Sequence, residues 1–559
     1  MRQHCCNISL LNIEKIEYSS ARQRDHHSAA RASSVRRTAA MARAAQGRGY
    51  DETLAVMSSL ITRPEDPRAA DPLTVDRTLW EVHFQDVLHY LKVLELEEPL
   101  SRLSVIHVAG TKGKGSTCAF VESMLRASGF RTGLFTSPHL FDIRERFRFN
   151  GVEVPKDIFL HHFWWCWDRL QADAGPEGKM PGFFRFLTIL AIRMFTAEKV
   201  DVAILEVGLG GRLDATNVVR SPVVCGVASL GYDHMELLGN TLALIAGEKA
   251  GIFKAGVPAF TVPQPKEAMD ALLKRAKELS ISLEIAPTLE SYGVENVQLG
   301  LEGEHQQINA ALAVALCISW ACRSPPSDRI HQLQQEVARG GLPDSFLKGL
   351  ASTKWPGRAE VVHDPSGRLS FYLDGAHSPE SMEACANWFC SVVKAEKGGS
   401  LKGESDGTHC IEASSDVLLF NCMPKRDPQS LLPPVINTCM RTGVPLHMAL
   451  FVPPYSSLIS LDKRVPFNGA TSDLSWQQTV QRHWESLLEG KLSELKNSTD
   501  CGGQQEGCIV GSSSAVVHSL PAALEWFRNC TSRHPHLRLQ VLVTGSLYLV
   551  GDVLRLLKH

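Results

Sequence analysis

Val105-Ile106-His107-Val108-Ala109-Gly110-Thr111-Lys112-Gly113-Lys114-Gly115-Ser116 is the stretch that decides how this chain is read. An apolar run gives way to glycines interleaved with lysines. Thr117-Cys118-Ala119-Phe120-Val121-Glu122-Ser123-Met124-Leu125-Arg126 then reads as an amphipathic helix. Strand, glycine loop and helix together form a setting in which backbone N–H groups and a helix N-terminus cradle phosphate. Lys114 would bring a point charge to the terminal phosphates, and Ser116 or Thr117 a hydroxyl to Mg²⁺. The spelling departs from the common G-x-x-x-x-G-K-[ST] loop, because Gly115 stands between the lysine and the hydroxyl residue.

Along the chain, Val105–Ala109, Thr132–Thr136, Val202–Val207 and Val223–Leu230 are short apolar runs separated by helical segments. That alternation predicts a parallel sheet covered on both faces. It restarts with Leu369–Leu373, Val417–Cys422, Leu446–Val452 and Leu539–Val543, and closes on a helix through Asp552–Leu557. The expectation is an α/β chain: an ATP-binding domain over 50–352 and a smaller Rossmann-like α/β domain over 353–559, divided at Ser352-Thr353-Lys354-Trp355-Pro356-Gly357. Two polar, glycine-rich stretches, 397–416 and 496–505, read as flexible surface insertions.

Composition narrows the function classes. The 559 residues are 44% hydrophobic and 21% charged, with a formal net charge of -2, so no global field favours nucleic acid or membrane. No run is long and apolar enough to span a bilayer. Fifteen cysteines follow no signal peptide, and Cys118, Cys225 and Cys317 lie in apolar runs, which points to reduced thiols. Residues 1–49 form an extension rich in Arg, Ala and Ser from Ser19 onward. That composition suits a transit peptide; Glu14 and Glu17 equally suit a functionless extension, and Met41 offers an internal start.

Ligands of open parallel sheets bind beyond the carboxyl ends of the strands. The residues there are Ser137-Pro138-His139, Glu206 with Gly208-Leu209-Gly210-Gly211, Asp233-His234, and Asp374-Gly375-Ala376-His377. Hydroxyl, carboxylate and neutral imidazole together can hold Mg²⁺ against ATP phosphates. Each also has a plain structural reading, as a turn, a cap or half of an ion pair. Lys249 falls on the apolar stripe of a helix over Thr241–Ala250. It either snorkels at the helix end, or is paired, deprotonated or modified.

Seven motifs occur in one order: Gly110 to Ser116, Ser137-Pro138-His139-Leu140, Glu206-Val207-Gly208-Leu209-Gly210-Gly211, Asp233-His234, Gly303-Glu304-His305-Gln306 with Asn309, Trp355-Pro356-Gly357-Arg358, and Asp374-Gly375-Ala376-His377. In that order they resemble the folylpolyglutamate synthases, ATP-dependent amide ligases related to the Mur ligases, in the eukaryotic, plant-like form. The resemblance runs from about Tyr50 to the C-terminus.

It implies ATP contacts from Gly110, Thr111, Lys112, Gly113, Lys114, Gly115, Ser116, Thr117, His305, Gln306, Asn309, Arg358 and Asp374. It implies Mg²⁺ ligation by Ser137, Glu206 and His234 with Ser116, and a monovalent cation such as K⁺. Catalytic roles fall to Lys114, to Lys249 as a carbamate, and to His377. The implied reaction joins L-glutamate to a reduced folate (poly)glutamate through an acyl phosphate. The implied protein is monomeric and sits in the cytoplasm, mitochondrion or plastid. Dihydrofolate synthesis and an inactive nucleotide-binding protein stand as alternatives. Ser378-Pro379 after His377, and Phe183-Phe184-Arg185-Phe186-Leu187-Thr188, depart from the pattern of many bacterial relatives.

Overall fold

The computed structural model describes residues 48–61, 77–175, 178–293, 297–399, 413–455, 473–498 and 513–558. Almost all of the arginine-rich extension, Met41, and the centres of both proposed insertions (400–412 and 499–505) lie outside the described residues. The ends of those insertions are regular structure. The helix Pro379–Gly399 runs into the first, a strand begins at Ala413, and the helix Ser475–Ser498 runs into the second. Helical residues that are glycine or polar leave too little apolar periodicity to read.

Two sheets organise the chain. The parallel part of the first comprises β1 (Val105–Ala109), β2 (Thr132–Phe135), β5 (Val202–Glu206), β6 (Val224–Val227), β7 (Ala259–Thr261) and β8 (Leu283–Ile285). Two short antiparallel strands, β3 (Phe147–Phe149) and β4 (Val152–Glu153), extend one edge. The eight strands lie in the order β4-β3-β2-β5-β1-β6-β7-β8. Period-2 alternation sends neighbouring residues of one strand to opposite faces. Val105, Ala203 and Leu205 join the aromatic-rich core under the helices Lys156–Ala174 and Phe183–Ala197. Ile106, Val108, Val202 and Ile204 join the core under the helices Lys114–Ala127 and His305–Arg323. Both faces are covered, so β1 and β5 are buried at every position.

After the helix Asp344–Ser352 the chain crosses to the second sheet. It is built from β9 (Glu360–His363), β10 (Leu369–Leu373), β11 (Ala413–Phe420), β12 (Met448–Phe451), β13 (Ser513–Val516) and β14 (Leu537–Thr544), in the order β13-β12-β11-β14-β10-β9. Only β9 runs antiparallel. The final helix spans Leu547–Lys558, a turn or more longer toward its N-terminus than the sequence pattern suggested. Leu140, from the loop after β2, is buried in the apolar core of this second sheet, which ties the two units together. Among the described residues every cysteine is a free thiol and no helix is long and apolar enough to cross a membrane.

Candidate active site

The carboxyl ends of β1, β2, β5 and β6 open onto a cavity of about 430 Å³, and the segment after β10 closes its far wall. The glycine loop forms its floor. Gly113 caps the helix Lys114–Ala127 in the left-handed region, at φ 80°. A side chain there would also collide with the Asn309 amide, so the helix His305–Arg323 sets its end directly against the loop. The N–H groups of Thr111 and Lys112 both donate to the Ser229 carbonyl, which fixes the loop's entry beside β6. Lys114 Nζ donates to the Thr111 carbonyl at 3.3 Å.

The two candidate hydroxyls separate. Ser116 lines the cavity, whereas Thr117 is fully buried within its helix, its Oγ1 without a partner and off the cavity wall. Glu206 ends β5 at 4% exposure and accepts the Ser137 N–H at 2.9 Å. Burial raises its pKa against the opposing pull of Lys114. It has no ion pair among the described residues. A buried carboxylate with no ion pair, beside two cavity-facing serines, fits a hard cation that also takes phosphate and water oxygens. His234 reaches the same wall from a left-handed backbone position, half exposed between Asp233 and Glu236. Among the described residues no three His, Cys, Asp or Glu side chains converge as a metal group.

Lys249 is the last residue of the helix Leu242–Lys249 and is 5% exposed. It does not reach solvent: Nζ donates to the Gly110 carbonyl at 2.9 Å, beneath the loop and off the cavity wall. Burial, and then the neighbouring Lys114 charge, bring its pKa down to about 7. A lysine of that kind carries a neutral amine near physiological pH, the form that reacts with CO₂.

The far wall is the second domain's. Asp374 is partly buried, accepts the Ala359 N–H at 2.9 Å, and has its pKa raised by desolvation against the pull of Arg358. His377 Nδ1 lies 2.9 Å from the Gly375 carbonyl, an oxygen that only accepts, so Nδ1 carries the proton. Burial, with Lys112 next, lowers the His377 pKa to about 4, leaving a neutral ring whose Nε2 is an acceptor. His305, Gln306 and Arg358 line the cavity between the two walls, and Asn309 donates to Gln306 Oε1 at 2.9 Å.

Sequence reading missed three contributors. Arg426, in the loop after β11, pairs with the cavity-lining Asp233 at 3.1 Å. Burial favours a neutral Asp233, but His234, Lys112 and Arg426 outweigh it and hold its pKa at about 2. Inspecting the carboxyl end of every strand would have found Arg426, since Pro424-Lys425-Arg426 comes just after the β11 run. Asp214 holds the Gly208-Leu209 turn by accepting both N–H groups, at 3.1 and 2.9 Å. Arg148 on β3 reaches the cavity wall over the Trp355 ring. Of the residues assigned to nucleotide, metal or catalysis, only Gly110, Thr117 and Lys249 stand behind the wall rather than on it.

A glycine loop on one α/β domain facing acid, arginine and imidazole groups on a second is the two-domain arrangement that the resemblance to ATP-dependent ligases of the Mur type implied. No family model matches the chain. Two folylpolyglutamate synthases of Arabidopsis thaliana are 47% and 49% identical to it, over 91% and 92% of this chain and 87% and 89% of theirs. A mitochondrial folylpolyglutamate synthase of Homo sapiens is 39% identical over 82% of this chain and 84% of its own. The chain belongs to the folylpolyglutamate synthase family. Its fold is shared with Mycobacterium tuberculosis folylpolyglutamate synthase complexed with ADP, at a TM-score of 0.61, 21% identity, and coverage of 87% of this chain and 98% of that one. E. coli FolC in complex with DHPP and ADP matches at a TM-score of 0.59 and 22% identity, covering 90% and 96%.

Proposed function

We propose that the protein adds L-glutamate through a γ-linked amide to tetrahydrofolate and its polyglutamates, with ATP hydrolysed to ADP and phosphate. The observation that carries this reading is the single cavity walled by Lys114 and Glu206 on one side and by Arg358, Asp374 and His377 on the other. A free carboxylate is a poor acyl donor. One of its oxygens attacks the γ-phosphorus, ADP leaves, and the acyl phosphate formed is attacked by the glutamate amine with loss of phosphate.

Lys114 and the N-terminal N–H groups of its helix oppose the charge that builds on the transferring phosphoryl group. Ser116, Ser137, Glu206 and His234 would hold Mg²⁺, which supplies charge neutralisation to the phosphates when bound. A monovalent cation such as K⁺ belongs to the same proposal. Neutral His377 positions the incoming amine by accepting its hydrogen bond at Nε2. Lys249, as a carbamate, would turn a costly buried ammonium into an anion beneath the loop. The Asp233–Arg426 pair and the buried Leu140 bring the second domain onto the first, excluding water from the acyl phosphate.

The protein would act as a monomer in the cytoplasm, the mitochondrion or a plastid, the relatives of Homo sapiens and Bos taurus being described as mitochondrial. Mass spectrometry of tetrahydrofolate incubated with protein, ATP and L-glutamate tests the proposal. Products heavier by successive glutamyl units support it. Product from dihydropteroate alone would replace it with dihydrofolate synthesis, and ATP binding without any amide product would leave only nucleotide binding.

A further inference from the structure

Gly115, the residue that sets this loop apart from the common phosphate loop, is not demanded by its backbone. It is the second residue of the helix Lys114–Ala127 and, unlike Gly113, has no positive φ. Glycine is a poor helix residue compared with alanine, so its presence calls for another reason. That reason is an indole. A Cβ at position 115 would lie 3.2 Å from Trp355 Nε1, 3.4 Å from Cζ2 and 3.5 Å from Cε2, and these are its three nearest neighbours. A methyl group there needs the ring to retreat by a few tenths of an ångström.

The ring is held from its face. The Arg148 guanidinium lies over it, 4.8 Å from the centroid, and Arg148 makes no salt bridge among the described residues. Burial lowers the Arg148 pKa against the pull of Glu153, Glu145 and Glu122, and the indole face offers the guanidinium a further favourable contact. The indole also packs on the core under the glycine-loop helix. Trp355 therefore sits between the loop of the first domain and Arg148 of the same domain, while belonging to the segment that leads into the second.

Three residues further on is Arg358. The Gly357 carbonyl accepts the Gly375 N–H at 3.1 Å, and a Cβ at Gly375 would come 2.8 Å from Arg358 Nη1. A shift at Trp355 is thus passed along a short, tightly packed segment to the second domain's wall.

We propose that Trp355 is a positioning residue that locks the nucleotide loop to the second domain through Gly115. The glycine admits the indole edge, Arg148 holds its face, and together they place Arg358 over the phosphates. This rests on the reading of Gly110 to Ser116 as the nucleotide loop.

The test is a double-mutant cycle between Gly115→Ala and Trp355→Leu in the full chain. It reads kcat and KM for ATP, binding of AMPPCP, and thermal unfolding of each variant. Gly115→Ala alone should lower kcat/KM for ATP about tenfold, while the same change in the Trp355→Leu background should cost less than about twofold. AMPPCP titration should change tryptophan fluorescence in the wild type, and much less in Trp355→Phe. Equal losses from Gly115→Ala in both backgrounds would overturn the proposal, as would a wild-type fluorescence response retained in Trp355→Phe. Loss of AMPPCP binding by wild type itself would strike the nucleotide-loop reading instead. A Gly115→Ala variant that melts well below wild type, with its melting temperature not restored by Trp355→Leu, would also count against it.

Discussion

The two walls of the cavity are built by different means. On the first domain, the proposed phosphate site relies on backbone: Gly113 turns the chain into a helix whose N-terminus meets the cavity, and the loop adds the charges of Lys112 and Lys114. On the second domain, the wall is made of side chains whose charge is set by burial, with Asp374 pushed toward neutrality and His377 held neutral. The first wall is ready-made by local geometry. Burial acts first on both, and the first domain then contributes from across the cavity: Lys112 lowers the His377 pKa further, while His305, with Arg358, pulls the Asp374 pKa back down. Nucleotide binding should therefore survive changes that abolish amide formation.

The most severe loss should come from removing the first wall's charge. Lys114→Ala should keep the fold and lose about 10³-fold in kcat, as removal of a single transition-state donor does. Steady-state ADP release and circular dichroism check both halves, and wild-type turnover would sink the phosphate role. Next is the carboxylate that faces both walls. Glu206→Gln should raise the Mg²⁺ concentration for half-maximal activity by about tenfold or more. An unmoved Mg²⁺ titration would remove Glu206 from the metal site.

Lys249→Ala should lose about tenfold in kcat and recover part of it with added short-chain carboxylates. The folded pKa of about 7 lies below the ordinary lysine value of 10.5, so the wild-type amine is increasingly neutral as pH rises through 7. Incorporation of ¹³C-bicarbonate at Lys249 should accordingly rise between about pH 6 and pH 8. A pH-independent signal would return Lys249 to a purely structural lysine. The mildest change is expected across the gap. Arg426→Ala removes a partly buried pair with Asp233 and should change kcat/KM by less than about fivefold, mostly through KM, without altering thermal stability much. A loss as large as that of Lys114→Ala would make Arg426 a catalytic group.

Much of the fold was legible in the sequence because its signals are local. β1 and β10 were bounded to the residue, since apolar runs between glycine or polar residues admit few other conformations. Strands were less well bounded where polar residues enter the sheet. β11 begins at Ala413, four residues before its apolar part, because Ser414 bonds Gln540 and Asp416 is buried beside Lys397. The site residues were legible to the extent that each comes directly after a strand. Arg426 does so too, but in a loop with no distinctive spelling.

The alternation of strands and helices around β1, β2, β5, β6, β10, β11, β12 and β14, the glycine loop with its lysines, and the family to which the chain belongs were written in the linear sequence, whereas the short strands β3, β4, β7, β8, β9 and β13 were not read from it. They depend on chain-local sterics and on motifs read within a few residues. Tertiary packing was needed to establish that Lys249 is sealed beneath Gly110, that Ser116 and not Thr117 faces the cavity, and that Trp355 rests on Gly115. Desolvation and close approach depend on groups far apart in the chain, here 240 residues in the case of Gly115 and Trp355, and no local pattern encodes them.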